Sequence, residues 1–431
     1  MRTTVKTLLS YTLQTLAKAV LLKYKPKVIS ITGSIGKTST KDAVYAVMSK
    51  VTHVRKSQKS YNSELGLPLT ILGCPNGWNN PVVWMKNIFK GLWLIIYPQK
   101  YPKWLVLEVG IGKPGDMKKT ASWLKSDVVI ITGIGETPAH IEFFNSRDHL
   151  VQEKSGLIKT LKKDGVLILN ADDEAALEFK NKTKNRIITY GFSRGVDILG
   201  SEDSIFYDKK NIPKGVSFRV DEGGKSLPVF IEGVFGRNHL YAALAALAIS
   251  FNLKLNMLEA ADALKNYDIP PGRMRLLLGI SNSLLIDDTY NSSPFACSSA
   301  LQTLGEIKCS GRKIAVLGDM LELGRHTVEA HKEIGKISKN NVDVLIVVGQ
   351  RAKFIREGAE QVLMKKKNLF EFLNSYEAGE FLKTFIQDGD IVLIKGSQGM
   401  RMERVVSAVL LDQTHKSKLL VRQEKEWLDK K

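Results

Sequence analysis

Between an apolar, β-branched run, Lys27-Val28-Ile29-Ser30-Ile31, and a helical pattern from about Thr40 to Met48 lies the segment Thr32-Gly33-Ser34-Ile35-Gly36-Lys37-Thr38-Ser39. Strand, glycine loop, lysine, hydroxyl and helix in that order build a phosphate cradle. Glycines let backbone N–H groups approach an anion, and the helix N-terminus adds its positive end. Lys37 then reaches the terminal phosphates and the Thr38 hydroxyl can ligate Mg²⁺, while Gly33, Ser34, Ile35, Gly36 and Ser39 line the cradle. The loop is shorter than the general Walker pattern, because Ile31 stands where that pattern has its first glycine. The expected ligand is a nucleoside triphosphate.

With 431 residues, 44% hydrophobic and 25% charged, the chain suits two or three globular domains. Three scattered cysteines, Cys74, Cys297 and Cys309, make neither a disulfide framework nor a zinc site, and point to a reducing cytoplasm. No apolar run reaches the roughly 18–20 residues that span a bilayer. The net charge of +19 is concentrated early: before Glu108, sixteen Lys and Arg face only Asp42 and Glu64. Such asymmetry suits an anionic partner, either a nucleotide, a nucleotide-linked substrate or the anionic inner face of a membrane. No aromatic-plus-basic motif accompanies it, so nucleic acid is not expected.

Residues 1–26 read as one amphipathic helix with Val5, Leu8, Leu9, Leu13, Leu16 and Val20 on one face, docked on the domain or on a membrane surface. From residue 27 to 270, strands alternate with helices, which argues an α/β domain with a mostly parallel sheet. An antiparallel appendage is expected from about Asp197 to Gly233. Pro270-Pro271 marks a hinge, and residues 271–431 read as a second, Rossmann-like α/β domain ending in a charged helix or tail from about Gln413. Within the first domain, the insertion 76–103 carries Trp78, Trp84, Phe89, Trp93, Tyr97 and Tyr101 beside Lys86 and Lys90. That mixture is favoured at a membrane interface, and a buried helix or partner-docking surface is the competing reading.

Several motifs in order then resemble one family, the Mur ligases, ATP-dependent amide-forming enzymes of peptidoglycan precursor synthesis. After the phosphate loop come Asn62-Ser-Glu-Leu-Gly-Leu-Pro68, Leu107-Glu-Val-Gly110, Ala139-His-Ile-Glu142 and Gly236-Arg-Asn-His239. Gly272-Arg273, Asp287-Asp-Thr-Tyr-Asn291, Gly318-Asp-Met-Leu-Glu-Leu-Gly324 and Lys395-Gly-Ser397 complete the series. Within the family the likeness is greatest to the step that adds D-alanyl-D-alanine to a UDP-N-acetylmuramoyl peptide.

The resemblance implies a set of roles. Glu108 and His140 would hold a second Mg²⁺, with Lys154 as the family's carbamylated lysine, converted from an ammonium into an oxygen ligand. Arg273 would contact the ATP phosphates when the domains close. Asp288, Tyr290 and Asn291 would meet ribose and adenine, and either Asn238 or His239 would face the nucleotide. Asn62, Glu64, Lys395 and Ser397 would lie near the substrates. One departure stands out: about 26 residues precede the phosphate loop where related ligases carry a complete UDP-gripping domain, so this reading is of a chain lacking that domain. Two further readings stay open here, a folate-type polyglutamate ligase and a membrane-docked, non-catalytic nucleotide-binding scaffold.

Overall fold

A computed structural model describes residues 3–57, 60–135, 144, 146–222 and 224–429, and the chain divides into two compact units. The first comprises Met1–Ser201, Arg219–Val229 and Leu240–Asp268; the second comprises Glu202–Phe218, Phe230–His239 and Ile269–Lys431.

In the first unit, β1 (Lys27–Thr32), β2 (Val54–Lys56), β3 (Trp104–Glu108), β4 (Ser126–Ile131), β5 (Leu161–Asn170) and β6 (Arg186–Gly191) form a parallel sheet in the order β2-β3-β1-β4-β5-β6. β1 is central and buried along all but its first residue, which is why Val28, Ile29 and Ile31 point to both faces and the buried Ser30 is paired with Ser126. The order then continues through β7 (Ile198–Tyr207), β8 (Pro213–Glu222) and β9 (Lys225–Glu232), three consecutive strands in the expected appendage region.

Around this sheet lie α1 (Thr3–Tyr24), α2 (Lys37–Val51), α3 (Gly66–Leu72), α4 (Pro81–Ile96), α5 (Asp116–Ala121) and α6 (Arg147–Ser155). α1 buries Leu9, Leu13, Leu16, Ala17 and Val20 in one core with Leu67, Leu69 and Leu72 of α3 and Trp84 and Leu94 of α4. Fully burying residues such as Leu13 and Val20 stabilises by about 1.5–3 kcal/mol each, so α1 is part of the fold. Leu8 corrects the expected helix face: it is 67% exposed, one position round the helix from Leu9.

The second unit holds β10 (Arg275–Leu278), β11 (Leu284–Asp288), β12 (Lys313–Gly318), β13 (Val344–Val348), β14 (Leu369–Phe372) and β15 (Ile391–Lys395). Their order is β10-β11-β15-β12-β13-β14, parallel except for β10, which runs antiparallel to β11. Of the helix or tail expected after Gln413, the structure has helix, in two short pieces rather than one, Lys416–Leu419 and Lys425–Leu428. Between them Leu420 joins the apolar core while Arg422 is buried. Buried partners for Arg422, rather than local composition, hold it there.

Candidate active site

Register places the first cluster. Ile31 of β1 lies opposite Glu108 of β3 on one side and Ile130 of β4 on the other. The segments leaving β1, β3 and β4 therefore emerge together at the carboxyl edge of the sheet, where ligands of open α/β sheets bind. Gly33 adopts φ +148°, and a Cβ there would lie 2.0 Å from Thr132 Oγ1, so no side chain fits. Gly36 adopts φ +80° as the N-cap of α2, which has no side-chain cap. A Cβ on Gly36 would meet nothing within 4 Å, so the space before this helix end is open. The amides of Ser34 and Ile35 both donate to Gly133 O, at 2.8 and 3.0 Å, and Thr132 Oγ1 donates to Ile35 O at 2.6 Å. The Ser34 hydroxyl is buried without a partner. Such an orphan hydroxyl in the cradle suits an incoming polar ligand.

Lys37 Nζ donates to Gly33 O at 2.8 Å, and Lys154 Nζ donates to the same oxygen at 3.2 Å. Ser146 caps α6 by accepting from the His149 amide, which sets the helix so that Lys154 points inward and is buried. Burial first, and the neighbouring Lys37 charge second, hold the Lys154 amine well below the ordinary lysine range.

Beside these lysines Glu108 is fully enclosed. Its Oε2 accepts from Thr38 Oγ1 at 3.0 Å and its Oε1 from Asn62 Nδ2 at 3.0 Å. Thr38 has one hydroxyl proton, so Ser60, 2.8 Å away, donates to it. A buried carboxylate touching the phosphate-loop hydroxyl is a donor set suited to a hard cation. Among the described residues no three His, Cys, Asp or Glu converge, so protein oxygens alone do not cage an ion. That fits Mg²⁺, which keeps waters and phosphate oxygens in its shell. His140 lies outside the described residues. Glu64 is exposed and Asn62 half-buried.

The second unit brings its motif residues into one buried knot. Asp287 accepts from Gly272 N through Oδ2 and from Thr289 N and Oγ1 through Oδ1, at 2.6–3.2 Å. Burial pushes its carboxyl up to about 6 in spite of those bonds. Asp288 accepts from the Met274 amide and, at 2.6 Å, from Lys395 Nζ, which also donates to Asn291 O. Ser397 Oγ accepts from Leu321 N and donates to Ser292 O. Arg273 stacks its guanidinium 3.9 Å above the Tyr290 ring, and its Nε is buried without a hydrogen-bond partner. His239 is buried against Arg273 O, with Nε2 2.8 Å away, while Asn238 is half-buried. Desolvation pushes the His239 imidazole down to about 4, so it is neutral at pH 7 and its Nε2–H donates.

The Mur ligase middle-domain model matches residues 31–88 and 89–250, and the Mur ligase glutamate ligase domain matches residues 272–398. The chain belongs to the Mur ligase family. It is 30% identical over 399 residues to the UDP-N-acetylmuramoyl-tripeptide–D-alanyl-D-alanine ligase of Bacillus subtilis, covering 92% of this chain and 79% of that one. Among solved structures, MurF from Thermotoga maritima in complex with ADP matches with TM-score 0.73 and 25% identity, over 95% of this chain and 84% of that one. MurF from Acinetobacter baumannii shares the fold with TM-score 0.74 and 24% identity, over 92% and 79%. Mur ligases are ATP-dependent ligases, with Mg²⁺ the usual companion of the nucleotide.

Several residues that shape the site of this Mur ligase carry no signal in the sequence reading. Asp173 accepts the Ile134 and Gly135 amides at 2.7 and 2.8 Å and so sets the turn whose Gly133 carbonyl holds the phosphate loop. In the second unit Arg422 donates to the carbonyls of Thr289 and Tyr290 and pairs with buried Glu403 at 2.9 Å. His331 Nε2 accepts the Met320 amide, and its Nδ1 bonds Thr327 O. Asp173 reaches 38 and 39 residues back and Arg422 more than 130 for its carbonyls, while His331 acts within 11. Only the Asp173 N-cap pattern before Glu174-Ala175-Ala176-Leu177 was locally visible.

Proposed function

We propose that this Mur ligase joins D-alanyl-D-alanine to the peptide carboxylate of a UDP-N-acetylmuramoyl tripeptide in the cytoplasm. The substrate pair is taken from the Bacillus subtilis relative. The observation that carries the chemistry is the meeting of Lys37 and Lys154 on one loop carbonyl beside the enclosed Thr38–Glu108 pair. A carboxylate oxygen of the peptide attacks the γ-phosphorus of ATP, and the bond to the β,γ-bridging oxygen breaks, releasing ADP and leaving an acyl phosphate. The amine of D-alanyl-D-alanine attacks the acyl carbon, phosphate departs, and the nitrogen loses its proton to solvent.

Lys37 neutralises charge on the migrating phosphoryl group, and Arg273 is a further cation for the ATP phosphates. Thr38 and Glu108 are the described residues that would hold Mg²⁺, with His140 and Lys154 completing a second site; the ion supplies charge stabilisation at the phosphates. For Lys154 to be a ligand it must be carbamylated. Its lowered basicity supports this, since only the neutral amine adds to CO₂, with loss of a proton from nitrogen. Gly33, Ser34, Ile35, Gly36 and Ser39 cradle the phosphates. Asp288, Tyr290 and Asn291, with Asn238 or His239, shape the nucleoside end. Asn62, Glu64, Lys395 and Ser397 border the substrates, of which Lys395 and Ser397 act by holding the loops around them.

A substrate panel read by phosphate release tests this reading. Release is expected only with ATP, the UDP-muramoyl tripeptide and D-alanyl-D-alanine together. Turnover with a folate and glutamate instead, or none with the muramoyl pair, would overturn it.

A further inference from the structure

α4 has two apolar faces, and the fold uses one. Asn80 caps it by accepting from the amides of Val82 and Val83, and Pro81 occupies its first turn. Trp84, Asn87, Gly91 and Leu94, spaced three and four apart, face inward. A Cβ on Gly91 would lie 2.9 Å from Leu16, so glycine permits the close approach of α1. Lys23 and Tyr24 of α1 lock the pair by donating to the carbonyls of Leu94, Ile95 and Tyr97.

The opposite side of α4 presents Met85, Phe89, Leu92, Trp93 and Ile96, again at helical spacing, each 40–66% exposed. Scattered exposed apolar residues are ordinary; a continuous helical stripe ending in aromatics is not. Alongside, α1 exposes Leu8, Tyr11 and Leu22. Neither helix contains an acidic residue, whereas Lys86, Lys90 and Lys100 are exposed on and just after α4. Before Glu108, the acidic residues are Asp42, buried and paired with Lys56, and Glu64.

We propose that α4, supported by α1, docks this chain in the plane of an anionic phospholipid surface, with Phe89, Trp93 and Ile96 entering the headgroup region. Charge complementarity selects this occupant. A second copy of the chain would bring the same lysines together, while an anionic bilayer neutralises them. No described helix is long and apolar enough to cross a membrane, so the contact is peripheral. The proposal stands apart from the ligase reading, since none of these residues belongs to the phosphate or motif clusters.

Co-sedimentation of the 431-residue chain with phosphatidylcholine vesicles, with and without admixed phosphatidylglycerol, tests it. Binding is expected only to the anionic vesicles and is weakened by salt. The triple variant F89S/W93S/I96S should bind at least tenfold more weakly with a nearly unchanged melting temperature, because all three side chains are more than half exposed and, among the described residues, only Trp93 meets another ring, that of exposed Tyr97. K86E, which leaves the apolar stripe intact, should bind the same vesicles several-fold more weakly. Equal binding by parent and triple variant, or no binding to either vesicle, overturns the proposal. A concentration-dependent dimer abolished by the triple variant, without vesicle binding, would assign the stripe to self-association and overturn it as well.

Discussion

The two clusters are built on opposite electrostatic plans. At the first unit's phosphate loop, two lysine amines share one carbonyl and the Ser34 hydroxyl is left unpartnered. In the second unit, Asp287, Asp288, Lys395 and Ser397 are bonded to one another's loops almost to saturation. The first arrangement leaves a buried hydroxyl for a ligand to satisfy, beside two lysines of which burial holds Lys154 well below the ordinary range. In the second, those four residues satisfy one another's loops and hold a backbone shape that needs no ligand to form, while Arg273 Nε beside them is left unpartnered. Substitutions should therefore separate cleanly: losses of turnover without losses of stability in the first cluster, and the reverse order of sensitivity in the second.

Lys37→Ala is the largest expected effect. Removing a cation from a phosphoryl-transfer site costs about 10³–10⁵ in turnover by analogy with a transition-state arginine. Its melting temperature should stay within about 2 °C, since its part-buried hydrogen bond to Gly33 O is worth only about 1 kcal/mol. Lys154→Met should likewise lose ligase turnover without a drop in melting temperature, because it deletes a buried amine that desolvation already disfavours in its charged form. If Lys154→Met melts well below the parent, the first cluster is held together by its own contacts and the contrast fails.

In the second unit, Lys395→Met should cost about 3–5 kcal/mol in urea unfolding, because Asp288 is left as a buried carboxylate without its cation. A smaller loss, about 1–3 kcal/mol, is expected for Arg422→Met, which releases the Thr289 and Tyr290 carbonyls but leaves Glu403 paired with Arg401. A stability loss below about 1 kcal/mol for both would mean that these bonds do not hold the loop.

This division also explains what could be read from the chain. Lys37 and Thr38 were legible because strand, glycine loop and helix are contiguous, and the carboxyl-edge rule places Glu108 beside them once β3 is recognised. Lys154 needed the family resemblance, since a lysine nine residues into a polar stretch looks solvated; its burial follows from tertiary packing of α6. Lys395 and Ser397 were placed near the substrates by the resemblance alone, and their burial comes from loops more than 70 residues away. Arg422 was hidden in a charged terminal stretch, and the two carbonyls it binds lie more than 130 residues earlier. The exposed stripe on α4 was visible as an aromatic and basic insertion, but which of its two apolar faces the core takes is decided by where α1 packs.

The finest test of the self-satisfied cluster is its pH dependence, where two buried groups oppose each other. His239 titrates at about 4 when folded, below its ordinary 6.5, so between those values the unfolded chain binds more protons and stability rises with pH. Asp287 titrates at about 6 when folded, above 3.8, so in nearly the same window the native state binds more protons and stability falls as pH rises. At 1.36 kcal/mol per pH unit each slope amounts to about 3 kcal/mol, and the two nearly cancel from pH 4 to 6. The parent chain should therefore show a stability change from this pair of under about 1 kcal/mol across that range. His239→Gln keeps a donor for Arg273 O but removes the rising slope, so its urea midpoint should fall as pH increases from 4 to 6 relative to the parent. Parallel pH profiles for parent and variant would show that His239 is not held neutral by burial, and the second unit's loop would then be less completely sealed than the hydrogen bonds around Asp287 imply.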